Sequence, residues 1–247
     1  MKVLITGGKG MLGRTLAQHF REHEVVSVDV EDFDLRDAAA TRDAIRAASP
    51  QAIVHCAAMT AVDRCESEED LAYSVNALGS AHVAIAAHDV GARLIAISTD
   101  YVFDGRATRP YHEWDETGPR SVYGASKLAG EQAIRAHCPN HLIARIAWLY
   151  GAGGPSFVHT MLKLGAQGGE PLRVVDDQHG NPTSTDAVAA HLLQLLAVPT
   201  VGTVHLTCEG ETTWFDFTRT IFKTKGFDRG VDPCATSEYP RPAPRPA

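Results

Sequence analysis

Short apolar runs alternate with longer stretches of helical period along most of the chain. Lys2–Ile5 reads as a strand, and Leu12, Leu16 and Phe20 then fall on one helical face. Val25–Val28 predicts a second strand. Ala38–Ala48 predicts a helix that stops before Pro50, because a residue preceding proline is pushed out of the helical region. Ala52–His55 reads as a third strand and Glu68–His88 as one long, alanine-rich helix. Arg93–Ser98 is a fourth strand, Ser121–Ala136 a helix and His141–Ala147 a fifth strand. Strands alternating with helices predict a parallel sheet covered on both faces. After Tyr150 the pattern loosens. Gly151–Gly154 reads as a loop, Phe157–Leu164 and Asp186–Ala197 as helices, and Leu172–Val175 as a strand. Thr203–Leu206 adds a strand and Trp214–Phe222 a helix. The class is therefore α/β, a doubly wound parallel sheet with a smaller C-terminal lobe. Tyr239–Ala247 holds four prolines and no apolar period, and reads as an extended segment or a cut terminus.

Composition narrows the partners. With 247 residues the chain can bury a sizeable core. Its formal charge of -7 argues against nucleic acid or an anionic membrane as partner. A phosphorylated ligand stays open, because backbone N–H groups bind phosphate without net positive charge. Five cysteines with no C-x-x-C pair predict free thiols in a reducing cytoplasm. The N-terminus runs straight into Val3-Leu4-Ile5, so no signal peptide is read, and no run is apolar enough to cross a membrane. His19/His23 and His137/His141 have i,i+4 spacing. Cys138-Pro139 interrupts the second pair and neither has an obvious third ligand, so no metal site is expected.

The candidate chemistry begins at Gly7-Gly-Lys-Gly-Met-Leu-Gly13, between the first strand and the first helix. Glycines allow a tight turn and a close backbone approach to a pyrophosphate, and the helix N-terminus supplies N–H donors. The spacing is G-x-x-G-x-x-G, a weak signal alone that gains from its position after a strand. Asp29 follows the second strand, 22 residues after Gly7, where a carboxylate can accept from an adenosine ribose. A solvated acid in the stretch Asp29, Glu31, Asp32, Asp34 is the bland alternative, and the choice between NADPH and NADH stays open.

Ser121-Val-Tyr123-Gly-Ala-Ser-Lys127 opens a helix, which places Tyr123 and Lys127 on one face. A phenol with its ordinary pKa of about 10 is a poor acid near neutrality, and a nearby ammonium lowers that value. Such spacing is common on surface helices. Here it has company: Ser98-Thr99-Asp100-Tyr101 lies at the end of the fourth strand, where open α/β sheets bind their ligands.

These motifs together resemble the extended short-chain dehydrogenase/reductase superfamily, and within it the dTDP-4-dehydrorhamnose reductase family. The resemblance runs from Met1 to about Pro246. It rests on Gly7–Gly13, Cys56–Asp63 followed by Cys65-Glu66, Ser98–Gly105, Tyr123–Glu131, Arg145–Gly151 and Asp177–Thr183. Ser98–Gly105 and Asp177–Thr183 are the more family-specific runs. The resemblance implies a Rossmann-type NAD(P)-binding domain over 1–150, completed by 174–200, with 151–173 and 201–247 forming the substrate lobe. It implies NADPH or NADH as cofactor and a dTDP-sugar as substrate. Tyr123 would protonate a 4-keto oxygen, Lys127 would bind the nicotinamide ribose and tune Tyr123, and Thr99 would hold the keto oxygen. Gly7, Gly10, Met11 and Leu12 would face the pyrophosphate and Asp34 and Leu35 the adenine. Ala57, Ala58 and Thr60 would line the groove. Asp100, Tyr101, Phe103 and Trp148 would touch the sugar nucleotide, with core packing a close alternative for Phe103 and Trp148. Some relatives form a metal-bridged dimer through an acid early in the first helix. Thr15 stands there, so a monomer or an unbridged homodimer is expected. Family members usually continue beyond the point where this sequence stops, at Ala247.

Rival readings share most of these residues. A sugar-nucleotide 4,6-dehydratase needs an acid pair after the strand-end threonine, and Tyr101 stands at the second position. A reductase of another NDP-4-keto-6-deoxy sugar would use the same set. A non-catalytic NADP-binding regulatory subunit, like the family's partner of methionine adenosyltransferase, would need no intact Thr99, Tyr123 and Lys127.

Overall fold

The computed structural model describes residues 1–246; Ala247, the last residue of the proline-rich stretch, lies outside them. The first half is a run of strand–helix units: β1 (Lys2–Thr6), α1 (Met11–His19), β2 (Glu24–Val28), α2 (Ala38–Ala48) and β3 (Ala52–His55). Then come α3 (Val62–Ser67), α4 (Glu69–Tyr73), a π-helical turn (Ser74–Leu78), α5 (Gly79–Asp89) and β4 (Arg93–Thr99). After a short turn at Asp100–Val102, α6 (Val122–His137) leads to β5 (His141–Ile146) and β6 (Leu149–Tyr150). The remainder holds α7 (Phe157–Gln167), β7 (Leu172–Val175), β8 (His179–Gly180), β9 (Thr183–Ser184) and α8 (Thr185–Ala197). It ends with β10 (Gly202–His205), β11 (Thr212–Thr213), α9 (Trp214–Lys225) and β12 (Val231–Cys234).

Six strands form one sheet in the order β10-β5-β4-β3-β1-β2, parallel throughout. The chain moves outward from β1 to β2, then crosses back to β3 on the other side of β1. That reversal makes the C-terminal ends of β1 and β3 the place where a doubly wound sheet opens a crevice. Alternate side chains of β1 enter two cores. Val3 and Ile5 pack with Leu12, Leu16 and Leu192, whereas Leu4 packs with Ile45, Val83 and Ile143. Burial on both faces explains why the strands read as unbroken apolar runs.

Side-chain caps set the helix starts. Asp37 accepts from Ala39 N and Ala40 N, Ser121 from Gly124 N, Ser184 from Ala187 N and Thr213 from Asp216 N. The helix expected over Glu68–His88 runs without a gap from Glu69 to Asp89. Glu68 is the non-helical residue at its start, and the backbone, helical at Tyr73 and Gly79, widens between them into the π-helical turn. That turn aims Asn76 inward, where it is fully buried; its amide accepts from Met59 N and donates to Met59 O and Ser126 Oγ. A polar side chain in the core needs all these partners, and the wider turn brings it to them.

The lobe has its own small core of Met161, Ile221 and Phe222. Its boundary differs from the expected one at three places, the first being β8, which pairs with β11 of the lobe. β10 is the edge strand of the main sheet, because its backbone pairs with β5. β7 pairs in parallel with β12 and so belongs to the lobe. Pro233 hides β12 from a sequence reading, yet β12 has only one neighbour, where a missing N–H is tolerated. The proline-rich segment packs back on α3. Arg241 and Arg245 both pair with Asp63, at 2.8 and 2.6 Å, and Ala243 between them is buried.

Candidate active site

A cavity of about 1110 Å³ opens along the C-terminal ends of β1, β3 and β4. Its first wall is the glycine turn. Gly7 has a φ of 68°, and a Cβ there would lie 2.7 Å from Ala57 N. A Cβ on Gly13 would lie 2.3 Å from Gly7 O, so the turn and α1 touch backbone to backbone. Gly10 begins α1 with no side-chain cap, leaving the helix's first N–H groups open to an anion. At the end of β2, the Asp29 carboxylate accepts from Lys9 N at 2.8 Å and Val30 N at 2.9 Å, tying the strand to the turn. Asp34 holds Arg36 through Nε and Nη2, which keeps the carboxyl below its usual range. Lys9, Arg36, Leu71 and Val75 join this wall. Lys9 and Arg36 were not singled out in the sequence, although Lys9 stands inside the glycine turn and Arg36 among the acids after β2. Narrow glycine contacts, an uncapped helix start and a groove of this length fit a dinucleotide.

The opposite end gathers the residues expected to react. Thr99, Asp100, Tyr101, Tyr123 and Lys127 all line the cavity. Thr99 Oγ1 donates to Asp100 Oδ1 at 2.9 Å. The Tyr101 ring meets Tyr123 edge-on, with centroids 5.4 Å apart. Burial pushes the Tyr123 phenol well above its ordinary pKa, against a smaller opposing pull from the Thr99 hydroxyl. Burial also brings the Lys127 ammonium down to about 8, while the Glu131 carboxylate works to raise it. Asp100 is pushed up to about 6 by burial, and Tyr101 up to about 12 for the same reason. The tyrosine thus keeps its proton and the lysine sits near its titration point.

The remaining expected groove residues, Gly7, Gly10, Met11, Leu12, Asp29, Asp34, Leu35, Ala57, Ala58 and Thr60, line the same cavity, as does Trp148. Phe103 does not. It is buried in a stack on Tyr111 at 4.2 Å, edge-on to His205, with the Arg145 guanidinium 5.0 Å above the ring. The contact expected there is replaced by packing that fixes the loop after β4. Trp148 has a φ of 46° and stacks flat on Trp214, with centroids 3.4 Å apart. Phe157 leans on Trp214 at 4.3 Å. Trp214 and Phe157 also line the cavity and come from the lobe. They were missed because nothing local to α7 or α9 tells an aromatic facing a ligand from one facing a core.

Thr15 is buried and its hydroxyl donates to Met11 O at 3.1 Å. Among the described residues, no group of three or more His, Cys, Asp or Glu side chains is arranged to hold a metal, and no helix is long and apolar enough to cross a membrane.

Comparison with known proteins gives a consistent result. A family model described as the RmlD substrate binding domain matches residues 1–247. A dTDP-4-dehydrorhamnose reductase of Streptomyces griseus is 45% identical over 252 residues, covering 98% of this chain and 83% of the relative. A crystal structure of the Clostridium acetobutylicum dTDP-4-dehydrorhamnose reductase superposes with a TM-score of 0.97 at 46% identity, covering 100% of this chain and 88% of that one. The Bacillus anthracis enzyme, solved in complex with NADP, gives a TM-score of 0.96 at 38% identity, with 99% and 88% covered.

Proposed function

The chain belongs to the dTDP-4-dehydrorhamnose reductase family of the extended short-chain dehydrogenase/reductases, and from that premise we propose that it reduces dTDP-4-dehydro-6-deoxy-L-mannose to dTDP-L-rhamnose with NADPH or NADH. One observation carries the reading: a single cavity joins the glycine turn at Gly7–Gly13 to Thr99, Tyr123 and Lys127. Bound NADPH or NADH supplies the hydride.

The protein supplies the rest. Gly7, Gly10, Met11 and Leu12 bind the pyrophosphate, and Asp29 and Asp34 with Leu35 border the adenosine. Ala57, Ala58 and Thr60 form the wall alongside. Tyr123 is the general acid. Its burial keeps it protonated until charge develops on the keto oxygen, which it then protonates. Lys127, as an ammonium, stabilises the phenolate left behind and binds the nicotinamide ribose. The Thr99 hydroxyl turns from Asp100 to hold the keto oxygen. Asp100, Tyr101 and Trp148 contact the sugar nucleotide, with Trp148 braced by Trp214. The lobe, 151–180 and the chain after β10, is the part that binds the substrate. The inward-facing Thr15 supports a monomer or a homodimer without a metal bridge. Five free thiols and a reduced nicotinamide co-substrate support a cytoplasmic setting.

The test is nicotinamide absorbance with purified protein, the dTDP-4-keto sugar generated in situ, and NADPH or NADH in parallel. Oxidation that depends on both protein and sugar, and that falls by about 10²–10⁴ in Tyr123→Phe with cofactor binding retained, is the expected result. Turnover only with a different NDP-4-keto sugar would reassign the substrate. Cofactor binding without turnover on any of them would leave the regulatory reading.

A further inference from the structure

Tyr123, Lys127 and Glu131 lie at i, i+4 and i+8 of α6, and all three are buried. The first two have roles in the chemistry proposed above. The third has none, yet it is the most heavily engaged carboxylate in the interior. Glu131 Oε1 accepts from Ser98 Oγ at 2.6 Å and from Arg145 Nε at 2.9 Å. Its Oε2 accepts from Arg145 Nη2 and from Arg135 Nη2, both at 2.7 Å. Burial raises the Glu131 carboxyl, but Arg145, Ser98 and Arg135 together outweigh it and hold the group below its usual range.

The partners fall in a pattern. Ile97, Ser98 and Thr99 are consecutive on β4. Ile97 O accepts from Lys127 Nζ at 2.8 Å, Ser98 Oγ donates to Glu131, and Thr99 lies with Tyr123 on the wall of the cavity. Ser98 is in register with Arg145 on β5. One carboxylate therefore fastens the ends of β4 and β5 to the helix that carries the tyrosine and lysine. Behind it, a chamber of about 10 Å³ is lined by His55, Ser80, Ser98, Lys127 and Glu131, close to the room one water needs.

We propose that Glu131 is a positioning residue of the reduction: it sets the Thr99 end of β4 against α6 and supplies the buried negative charge beside which Lys127 is kept as an ammonium. The groups around this pair are few. Lys127 faces His55 and Cys56 at the end of β3 and Glu131 on its own helix. Glu131 faces Arg145 on β5, Arg135 on α6 and His205 on β10. His55 is held neutral by burial and Cys56 is pushed up to about 12. Glu131 is thus the carboxylate that partly offsets the desolvation of the lysine. A purely structural Glu–Arg pair would not move the alkaline limb of kcat/KM together with the titration of Lys127.

The proposal rests on Tyr123 and Lys127 being the proton-transfer pair, so the test separates the two. The titration of Lys127 is followed by NMR on isotope-labelled lysine in the protein without cofactor or substrate. Its resonance is identified as the one missing from Lys127→Met. Glu131→Gln keeps the shape and removes the charge. The Lys127 midpoint is expected to fall by about one pH unit, and the alkaline limb of kcat/KM to fall with it. Glu131→Asp is expected to restore both. Arg135→Gln, at a half-exposed position, is expected to move the midpoint the other way, because it removes a cation that competes for Glu131. An unmoved midpoint in Glu131→Gln overturns the proposal; should that variant fail to fold, an unmoved midpoint in Arg135→Gln does so. A shifted midpoint with an unmoved kinetic limb overturns it as well. Failure of the reductase reading shows elsewhere, as absence of turnover in the unsubstituted protein.

Discussion

The Lys127 ammonium donates to the main-chain oxygen of Ile97 over 2.8 Å, which pins this cation to the last residues of a central strand. Burial brings that ammonium down to about 8. Its charge is therefore present through neutrality and lost as pH rises past about 8. The expected kcat/KM profile declines on the alkaline side with a midpoint near that value, since kcat/KM reports groups of the free enzyme. Lys127→Arg keeps a charge that does not titrate in this range, so its residual activity should lack the decline. An unsubstituted profile that stays flat well above pH 8 would remove the lysine's charge from the rate.

The glycine turn makes a steric prediction. A Cβ on Gly13 would sit 2.3 Å from Gly7 O and 2.8 Å from Gly8 Cα, both backbone atoms that move only with the turn itself. Gly13→Ala is expected to cost about 1–3 kcal/mol of stability and to weaken NADPH and NADH binding by roughly tenfold or more, because α1 shifts off the phosphate position. Gly118→Ala is the control. There the nearest atom is Asp104 Cβ at 3.6 Å, and neither property should change. Denaturant melts and fluorescence titration read both; unchanged cofactor binding in Gly13→Ala would show that the turn does not hold the dinucleotide.

Much of this site was legible in the sequence for a physical reason. The switch from the strand at Lys2 to the helical face of Leu12, Leu16 and Phe20, with glycines between, is local in the chain, and so are its consequences. Thr99 and Tyr123 were legible because strand ends and helix starts place their side chains by backbone geometry alone. Asn76 was not, since a π-helical turn has no period of its own, although an asparagine within an alanine-rich helical face was a visible oddity. Phe103 stayed open between ligand and core because an aromatic beside a reacting threonine can turn either way, and the Arg145 and His205 that hold it in its packed place lie far off in sequence. Trp214 and Phe157 meet Trp148 only when the lobe folds back on the sheet.

That aromatic stack predicts a separation of binding constants. Trp148 sits between Trp214 and the backbone of Gly180, where a Cβ would fall 2.4 Å from the indole. Its positive φ is one that a tryptophan adopts only under constraint. Removing the brace in Trp214→Ala should free Trp148 without touching the glycine turn. The expected result is a KM for the sugar nucleotide raised by roughly tenfold, with Kd for NADPH unchanged. Equal losses of both would mean that the lobe supports the whole cavity rather than its sugar end.

His55 gives the last prediction, on stability. Its ring is fully buried between two hydroxyls, with Nδ1 2.7 Å from Thr6 Oγ1 and Nε2 3.1 Å from Ser80 Oγ. Ser80 donates its own proton to Asn76 O at 2.6 Å, so Ser80 accepts from Nε2–H and Thr6 donates to Nδ1. The neutral ring is satisfied at both nitrogens, and a second proton, on Nδ1, would have to turn the Thr6 hydroxyl proton away. Burial, with the nearby charge of Lys127, lowers the folded pKa to about 3, against about 6.5 in an unfolded chain. Below about 6.5 the unfolded state takes up a proton that the folded state refuses. The group's stabilisation is therefore complete above that pH and is lost as pH falls toward 3. The loss attributable to this ring should reach a few kcal/mol, on the order of the shift converted to free energy. His55→Gln is expected to be less stable than the unsubstituted protein at neutral pH, and its stability should decline less steeply between pH 6.5 and 4. Parallel curves for the two proteins in urea melts across that range would show that the ring is charged in the fold, and that the Thr6–His55–Ser80 chain runs in another hydrogen-bonding sense.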